Sequence, residues 1–303
     1  MSLLDRIFEE PELRAAPPVL VDVGAAGGVH SAWRRIARHS IGVGFEPDAR
    51  EGVPLDAARR TFSKWIFCPA LAVPAPTADG QAEIFLTRSP QCSSTLRPNP
   101  AGLAAWAFAD QFDVVETKRC AAMTLEAALR AQGLERVDWL KCDTQGTDLR
   151  LFQSLPSAWR ARLLAVEFEP GLIDAYEGED RATEVMSAMA AEPFWLAEMD
   201  IGRTPRAAVH ARSSWFRRLA PRAPAWVNLR YLRHADATLD RRGRLLSWAF
   251  ATITGQHAQA LALTSGGEGE IFSAMAAESR AALRWSMWRG APGWAWRRLT
   301  RGG

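Results

Sequence analysis

An open, mostly parallel α/β sheet followed by a helical C-terminal extension is what the order of apolar runs in this 303-residue chain predicts. Three observations carry the prediction. The segment VLVDVGAAGGVH, residues 19 to 30, reads as a buried strand breaking into glycines. Strand-like runs then recur along the chain, several of them separated by helical patterns. After about residue 210 the pattern turns helical.

Val19, Leu20, Val21 and Val23 form the first strand. At Gly24, Gly27 and Gly28 the backbone can turn sharply, and a ligand can approach without meeting a Cβ. Residues His30 to His39 read as the helix that follows, with its N-terminus towards the ligand. Strand, glycine turn and helix make the first βα unit of a Rossmann-like, nucleotide-binding sheet. The second strand, IGVGF, ends at Glu46, 22 residues after Gly24. At that offset a carboxylate accepts hydrogen bonds from both hydroxyls of a ribose. Asp22 lies inside the first strand, where a nicotinamide-binding unit is usually apolar. A carboxylate there suits a ligand with a positively charged amino group, as in the methionine half of S-adenosylmethionine.

Further runs fall at 65–71, 82–87, 113–118, 137–142, 163–168 and 193–199. The clearest helix is TLEAALRAQGL, 124 to 134, with Thr124 as N-cap, Glu126 in its first turn and Gly133 as its stop. In VDWLKCDTQGTDLRLF, residues 137 to 152, Asp143 stands just past a strand, with Gln145, Gly146 and Asp148 in the loop that opens the next helix. LLAVEFEP, residues 163 to 170, does the same for Glu167 and Glu169. Ligands of such sheets bind at the carboxyl ends of the strands. If these strands are neighbours, Asp22, Asp143 and Glu167 converge near the glycine turn.

These segments resemble the FkbM family of S-adenosylmethionine-dependent methyltransferases. The matching pieces are DVGAAGG at 22–28, GFEP at 44–47, SSTL at 93–96, the TLEAAL helix, LKCDTQGTDL at 140–149 and VEFE at 166–169. The resemblance covers about residues 18 to 200. It implies a Rossmann-like methyltransferase sheet and an O-methyltransferase acting on a hydroxyl of a sugar, glycan or natural-product acceptor. Asp22, the loop residues Gly24, Ala25, Ala26 and Gly28, and Glu46 would hold the cofactor, with Asp143 beside the transferable methyl. Ala26 stands where the family has asparagine, and Asp148 where it has glutamate. Thr144 and Thr147 replace apolar or small residues.

A sulfonium methyl is already activated, so the protein must align an acceptor oxygen and remove its proton. Alignment contributes ~7 to 11 kcal/mol in favourable intramolecular cases. Asp143 is the candidate base, with Glu167 as the second catalytic carboxylate. An alternative, less favoured, has Asp143, Asp148 and Glu167 binding a divalent cation that acidifies the hydroxyl. No transition-metal site is expected, because the sequence offers no histidine cluster, and the metal-free version is the favoured one. A nicotinamide oxidoreductase would commonly use Tyr-x-x-x-Lys, but Asp180 and Ala235 stand four residues after Tyr176 and Tyr231. A non-catalytic adaptor or membrane-surface protein retaining the cofactor fold is the other alternative.

The four cysteines are scattered without zinc or redox spacing, as in a cytosolic protein. No segment has the length or hydropathy of a signal peptide or a membrane span. No nucleic-acid partner is expected, and the expected location is the cytoplasm. From Arg203 onwards there are 17 arginines and no lysine against five acids, a local +12 within a chain of net charge +3. The expected division is a methyltransferase domain at 1–210 and an arginine- and tryptophan-rich extension at 211–303. Its end, RWSMWRGAPGWAWRRLTRGG, is expected to form a short helix broken at Gly290, Pro292 and Gly293. Two readings stand for it: packing on the sheet domain, or peripheral contact with the anionic inner face of a membrane.

Overall fold

The computed structural model describes every residue except 26–27, 49–54, 210–218, 237 and 301–303, and gives the backbone alone for 55–56, 209 and 289–300. The chain folds into two units, residues 18–233 and residues 1–17 with 234–303.

The larger unit carries the strands β1 (Val19–Val23), β2 (Ile41–Phe45), β3 (Lys64–Cys68), β4 (Leu71–Ala72), β5 (Gln81–Thr87), β6 (Val114–Met123), β7 (Trp139–Cys142), β8 (Ala165–Phe168), β9 (Phe194–Pro205) and β10 (Arg222–Arg233). Seven of them form one sheet in the order β3-β2-β1-β7-β8-β10-β9. The first five run parallel. β10 is antiparallel to β8 and to β9. β1 sits at the centre with all five residues buried, as a strand covered on both faces requires.

Alternation along the strands separates the two faces. On one face Val21, Leu140, Val166 and Phe168 pack with Leu125, Phe152 and Val185, which come from the helices Leu125–Ala131, Asp148–Ser154 and Ala182–Met189. Each such fully buried side chain contributes roughly 1.5–3 kcal/mol. The opposite face carries a row of charges in register, Asp22, Lys141, Glu167, Arg230 and Glu198, one from each successive strand. Signs alternate along the row. Lys141 Nζ lies 3.0 Å from Asp22, and Arg230 Nε lies 3.2 Å from Glu167. Alternation matters because a buried charge without a partner costs several kcal/mol, at the order of magnitude, while a paired one roughly breaks even.

The structure differs from expectation at several elements. Residues 31–39 form two 3₁₀ helices, Ser31–Arg35 and Ala37–His39, in place of one α-helix. Residues three apart eclipse in a 3₁₀ turn, and Trp33 and Ile36 are both fully buried, with Trp33 edge-on to Trp139 at 5.9 Å. The run at 65–71 is two strands, because the chain breaks at Pro69 and Ala70 and β4 joins a separate three-stranded sheet, β4-β6-β5. The sheet unit extends to Arg233, beyond the boundary expected at 210, because β10 returns to pair between β8 and β9. From Ala225 to Tyr231 its buried positions, Ala225, Val227, Leu229 and Tyr231, recur at period two, Leu232 and Arg233 are buried at its end, and Pro224 is accommodated at an irregularity in the ladder.

In the smaller unit, the helix Leu3–Phe8 is closed by a Ser2–Asp5 capping box, and Asp240 caps the helix Arg241–Ile253. Trp248 Nε1 donates to Ser279 Oγ at 2.9 Å, tying Arg241–Ile253 to the helix Glu270–Thr300. That last helix runs through Gly290, Pro292 and Gly293, where a break was expected. Proline removes one backbone hydrogen bond and can kink a helix without ending it. Among the described residues no helix is long and apolar enough to cross a membrane.

Candidate functional site

Where β1, β2, β7 and β8 end, the sheet opens into a cavity of about 380 Å³ whose wall includes Gly24, Glu46, Asp143, Glu169, Tyr176 and Glu179. The position is the one that parallel sheets use for ligands, and the size is that of a small-molecule site.

Gly24 has φ +85°, and a Cβ added to it would lie 2.2 Å from the Asp143 carbonyl oxygen. Its amide donates to the Phe45 carbonyl at 3.0 Å, and the Asp143 amide donates to Val23 at 3.0 Å. Glycine is therefore demanded by the close approach of two strand ends, which also leaves this backbone bare towards the cavity. Gly28 also has a positive φ, +83°. Ala25 is buried and outside the cavity wall. Ala26 lies outside the described residues. Glu46 is on the wall, its Oε1 accepting the Asp48 amide at 2.8 Å.

Asp22 does not reach the wall. It is buried within the charge row, accepting from Lys141 Nζ. Lys141 in turn lies 3.5 Å from Asp143 Oδ2. Burial alone would lower the Lys141 pKa, but the adjacent Asp22 and Asp143 overcome that and hold it above its ordinary value, so it remains a cation.

Of the two glutamates in VEFEP, the structure brings Glu169, not Glu167, to the cavity. Cys142 and Phe168 are partners in register, so the residues just past them, Asp143 and Glu169, emerge side by side. Glu167 lies one step inside the strand and faces the charge row. There it accepts from Trp139 Nε1 at 2.8 Å, pairs with Arg230 and lies 3.5 Å from His30 Nε2. Glu169 is hydrogen-bonded to Asp143 and its pKa is pushed up to about 8, first by burial and then by Asp143. At neutral pH the pair therefore holds a proton.

A relay orients Asp143. Gln145 Nε2 donates to Asp143 Oδ1 at 2.9 Å. The Tyr176 hydroxyl lies 3.1 Å from Gln145 Oε1 and 2.9 Å from the Cys92 carbonyl. Gln145 itself has φ +57°, an unfavourable conformation held by Ser94 Oγ donating to its carbonyl at 2.7 Å. Asp148 is a clamp: it accepts from the Thr144 amide at 2.9 Å, the Thr144 hydroxyl at 2.6 Å and the Glu169 amide at 2.8 Å. Burial pushes its pKa up to about 6, and these donors limit the rise. The trio Asp143, Asp148 and Glu167 therefore does not converge on one cation. Among the described residues no group of three or more His, Cys, Asp or Glu side chains is arranged to hold a metal ion.

Sequence reasoning did not single out Tyr176 or Glu179 as part of the site. Glu179 Oε1 accepts the Ala175 and Tyr176 amides at 2.6 and 3.4 Å, and burial pushes its pKa up to about 7. Both follow β8 in a loop whose path back to the cavity is a tertiary property. The local signal for Glu169 was present, since it is the first residue past the apolar end of the strand. Among the described wall residues, five bear carboxyl groups (Glu46, Asp48, Asp143, Glu169 and Glu179), and none is Lys, Arg or His. Comparison with models of known protein families, with curated proteins and with solved structures finds no match for this chain.

Proposed function

We propose that the chain is an S-adenosylmethionine-dependent O-methyltransferase acting on a small-molecule or glycan hydroxyl. The observation that carries this reading is the charge character of the cavity: five carboxyl groups, of which Glu169 holds its proton at neutral pH, and no cationic side chain among the described wall residues. A sulfonium and an ammonium group are cations, favoured by such a wall. A nicotinamide dinucleotide carries a pyrophosphate, and like charges about 4 Å apart near a protein surface repel by roughly 4 kcal/mol. The sheet also departs from the all-parallel dinucleotide order, with the reversed β10 inserted beside its edge.

The residues present fit the cofactor. The Gly24 backbone is open to the cavity, and Glu46 stands where a carboxylate receives ribose hydroxyls. When bound, the cofactor supplies a methyl group already activated by the sulfonium. Asp143 is in place to take the acceptor's proton, a role typically worth about 10²–10⁴-fold. Gln145 and Tyr176 aim it, and Glu169, keeping its own proton, avoids a second negative charge at its side. Asp22 acts from behind, by fixing Lys141.

Calorimetry tests the reading. Wild type should bind S-adenosylhomocysteine, and Glu46→Ala should bind it at least tenfold more weakly while remaining folded. Binding of NAD in preference to S-adenosylhomocysteine, or unchanged affinity in the variant, would overturn it.

A further inference from the structure

The wall changes character away from the strand ends. Phe108, Phe112, Ile173, Tyr176 and Trp226 line that part of the cavity surface. Trp226 is placed there by the sheet itself. It lies at the irregularity in the β9–β10 ladder, opposite Gly202, and a Cβ at Gly202 would fall 2.0 Å from the indole Cε2. Glycine at 202 thus lets the indole lie flat across β9. Phe108 stands beside it with ring centroids 6.2 Å apart and planes tilted by 30°. Phe112 abuts Phe108 edge-on at 5.2 Å and packs against Tyr176 at 5.5 Å, which braces the arrangement. Phe108 and Trp226 are half-buried, so part of each ring remains available to a ligand.

Two properties therefore meet in one cavity: an aromatic shelf of two adjacent rings tilted by 30°, and five carboxyl groups with no cationic side chain among the described wall residues. Flat apolar surfaces stack on such a shelf. A phosphate or carboxylate entering would find no cation among the described wall residues, and burying it unpaired is unfavourable. An ammonium group would find both an aromatic face and nearby carboxylates.

We propose that the methyl acceptor carries no negative charge and lays a flat apolar face, an aryl ring or the C–H face of a sugar, on the Trp226–Phe108 shelf. This rests on the methyltransferase reading above. It narrows the acceptor to neutral or cationic hydroxyl compounds and excludes phosphorylated and acidic sugars.

The test uses the full chain with saturating S-adenosylhomocysteine, whose own binding is first measured by calorimetry. Catechol, dopamine and 3,4-dihydroxybenzoate form the aryl arm; methyl glucoside and glucose 6-phosphate form the sugar arm. Ligand-observed NMR titration gives each affinity. The neutral and cationic members of at least one arm should bind, and the anionic member of that arm at least tenfold more weakly. The arm that binds identifies the source of the flat face. Phe108→Ala and Trp226→Ala should each weaken binding at least tenfold, whereas Trp226→Phe, which keeps a flat ring, should retain it. Equal or tighter binding of the anionic members, no binding in either arm, or indifference to both alanine variants overturns the inference. Failure of S-adenosylhomocysteine to bind would instead strike at the cofactor reading.

Discussion

Glu169 offers the sharpest test of the site's electrostatics, because its burial beside Asp143 predicts a pH-dependent stability that one isosteric change should abolish. Its carboxyl titrates at about 8 in the folded protein against an ordinary 4.5. Across that interval the folded state holds a proton that the unfolded state has released. Stability is therefore fully present below about pH 4.5 and is lost progressively as pH rises through 8. At ~1.36 kcal/mol per pH unit the full displacement amounts to about 5 kcal/mol. The part of it that falls between pH 5 and pH 9 is roughly 3–4 kcal/mol. Glu169→Gln keeps the shape and the donor towards Asp143 but removes the titration. Urea unfolding of both proteins, followed by tryptophan fluorescence at pH 5, 7 and 9, gives the comparison. The variant's advantage over wild type should grow by roughly 3–4 kcal/mol from pH 5 to pH 9, at unchanged denaturant slope. An advantage constant to within about 0.5 kcal/mol across that range would refute the argument that Glu169 is a neutral acid paired with Asp143.

Gly24→Ala places a methyl 2.2 Å from the Asp143 carbonyl on a backbone at φ +85°. It should destabilise the protein by about 1–3 kcal/mol from backbone strain alone, read as a lowered Tm, and weaken S-adenosylhomocysteine binding; an unchanged Tm would contradict the close approach of β1 and β7. For the C-terminal helix we propose contact with anionic lipid, since Trp285, Met287 and Trp288 are 63%, 71% and 77% exposed and five arginines lie within residues 284–303. At ~1 kcal/mol per basic residue near such a surface, wild type should co-sediment with phosphatidylglycerol vesicles at low salt and be released at high salt. A chain ending at Ala282 should stay in the supernatant, and equal pelleting of the two would rule the contact out.

The first two strands and the glycine turn between them were legible in the sequence because their signals are local, whereas the segment that follows the turn forms two 3₁₀ helices and not the expected α-helix. A buried apolar run, a positive-φ glycine and an acid at the end of the next strand depend on residues between Val19 and Glu46 alone. Thr124 capping its helix, with its Oγ accepting the Ala127 amide at 3.2 Å, was legible for the same reason. β10 was hidden, although its buried side chains alternate at period two, because Pro224 and the arginine-rich context pointed away from a sheet interior. Its place between β8 and β9 is a pairing across the fold.

The candidate site divides in the same way. That acids would gather at the strand ends followed from the apolar runs they terminate. Which acid reaches the cavity depended on where each strand stops and on its register with the next. Two positions of difference, one inside the strand and one just past its end, send Glu167 into a row with Lys141 and Arg230, and Glu169 to Asp143. Asp22 was committed to Lys141 by a pairing 119 residues away in the chain. The aromatic shelf needed Gly202 beneath Trp226 and Phe108 beside it, three residues from three distant segments. Sequence alone determined the local geometry and the chemical character of the site, because both arise from neighbouring residues. The tertiary structure decided which side chains meet, because register and loop return are set by contacts that no short stretch of chain contains.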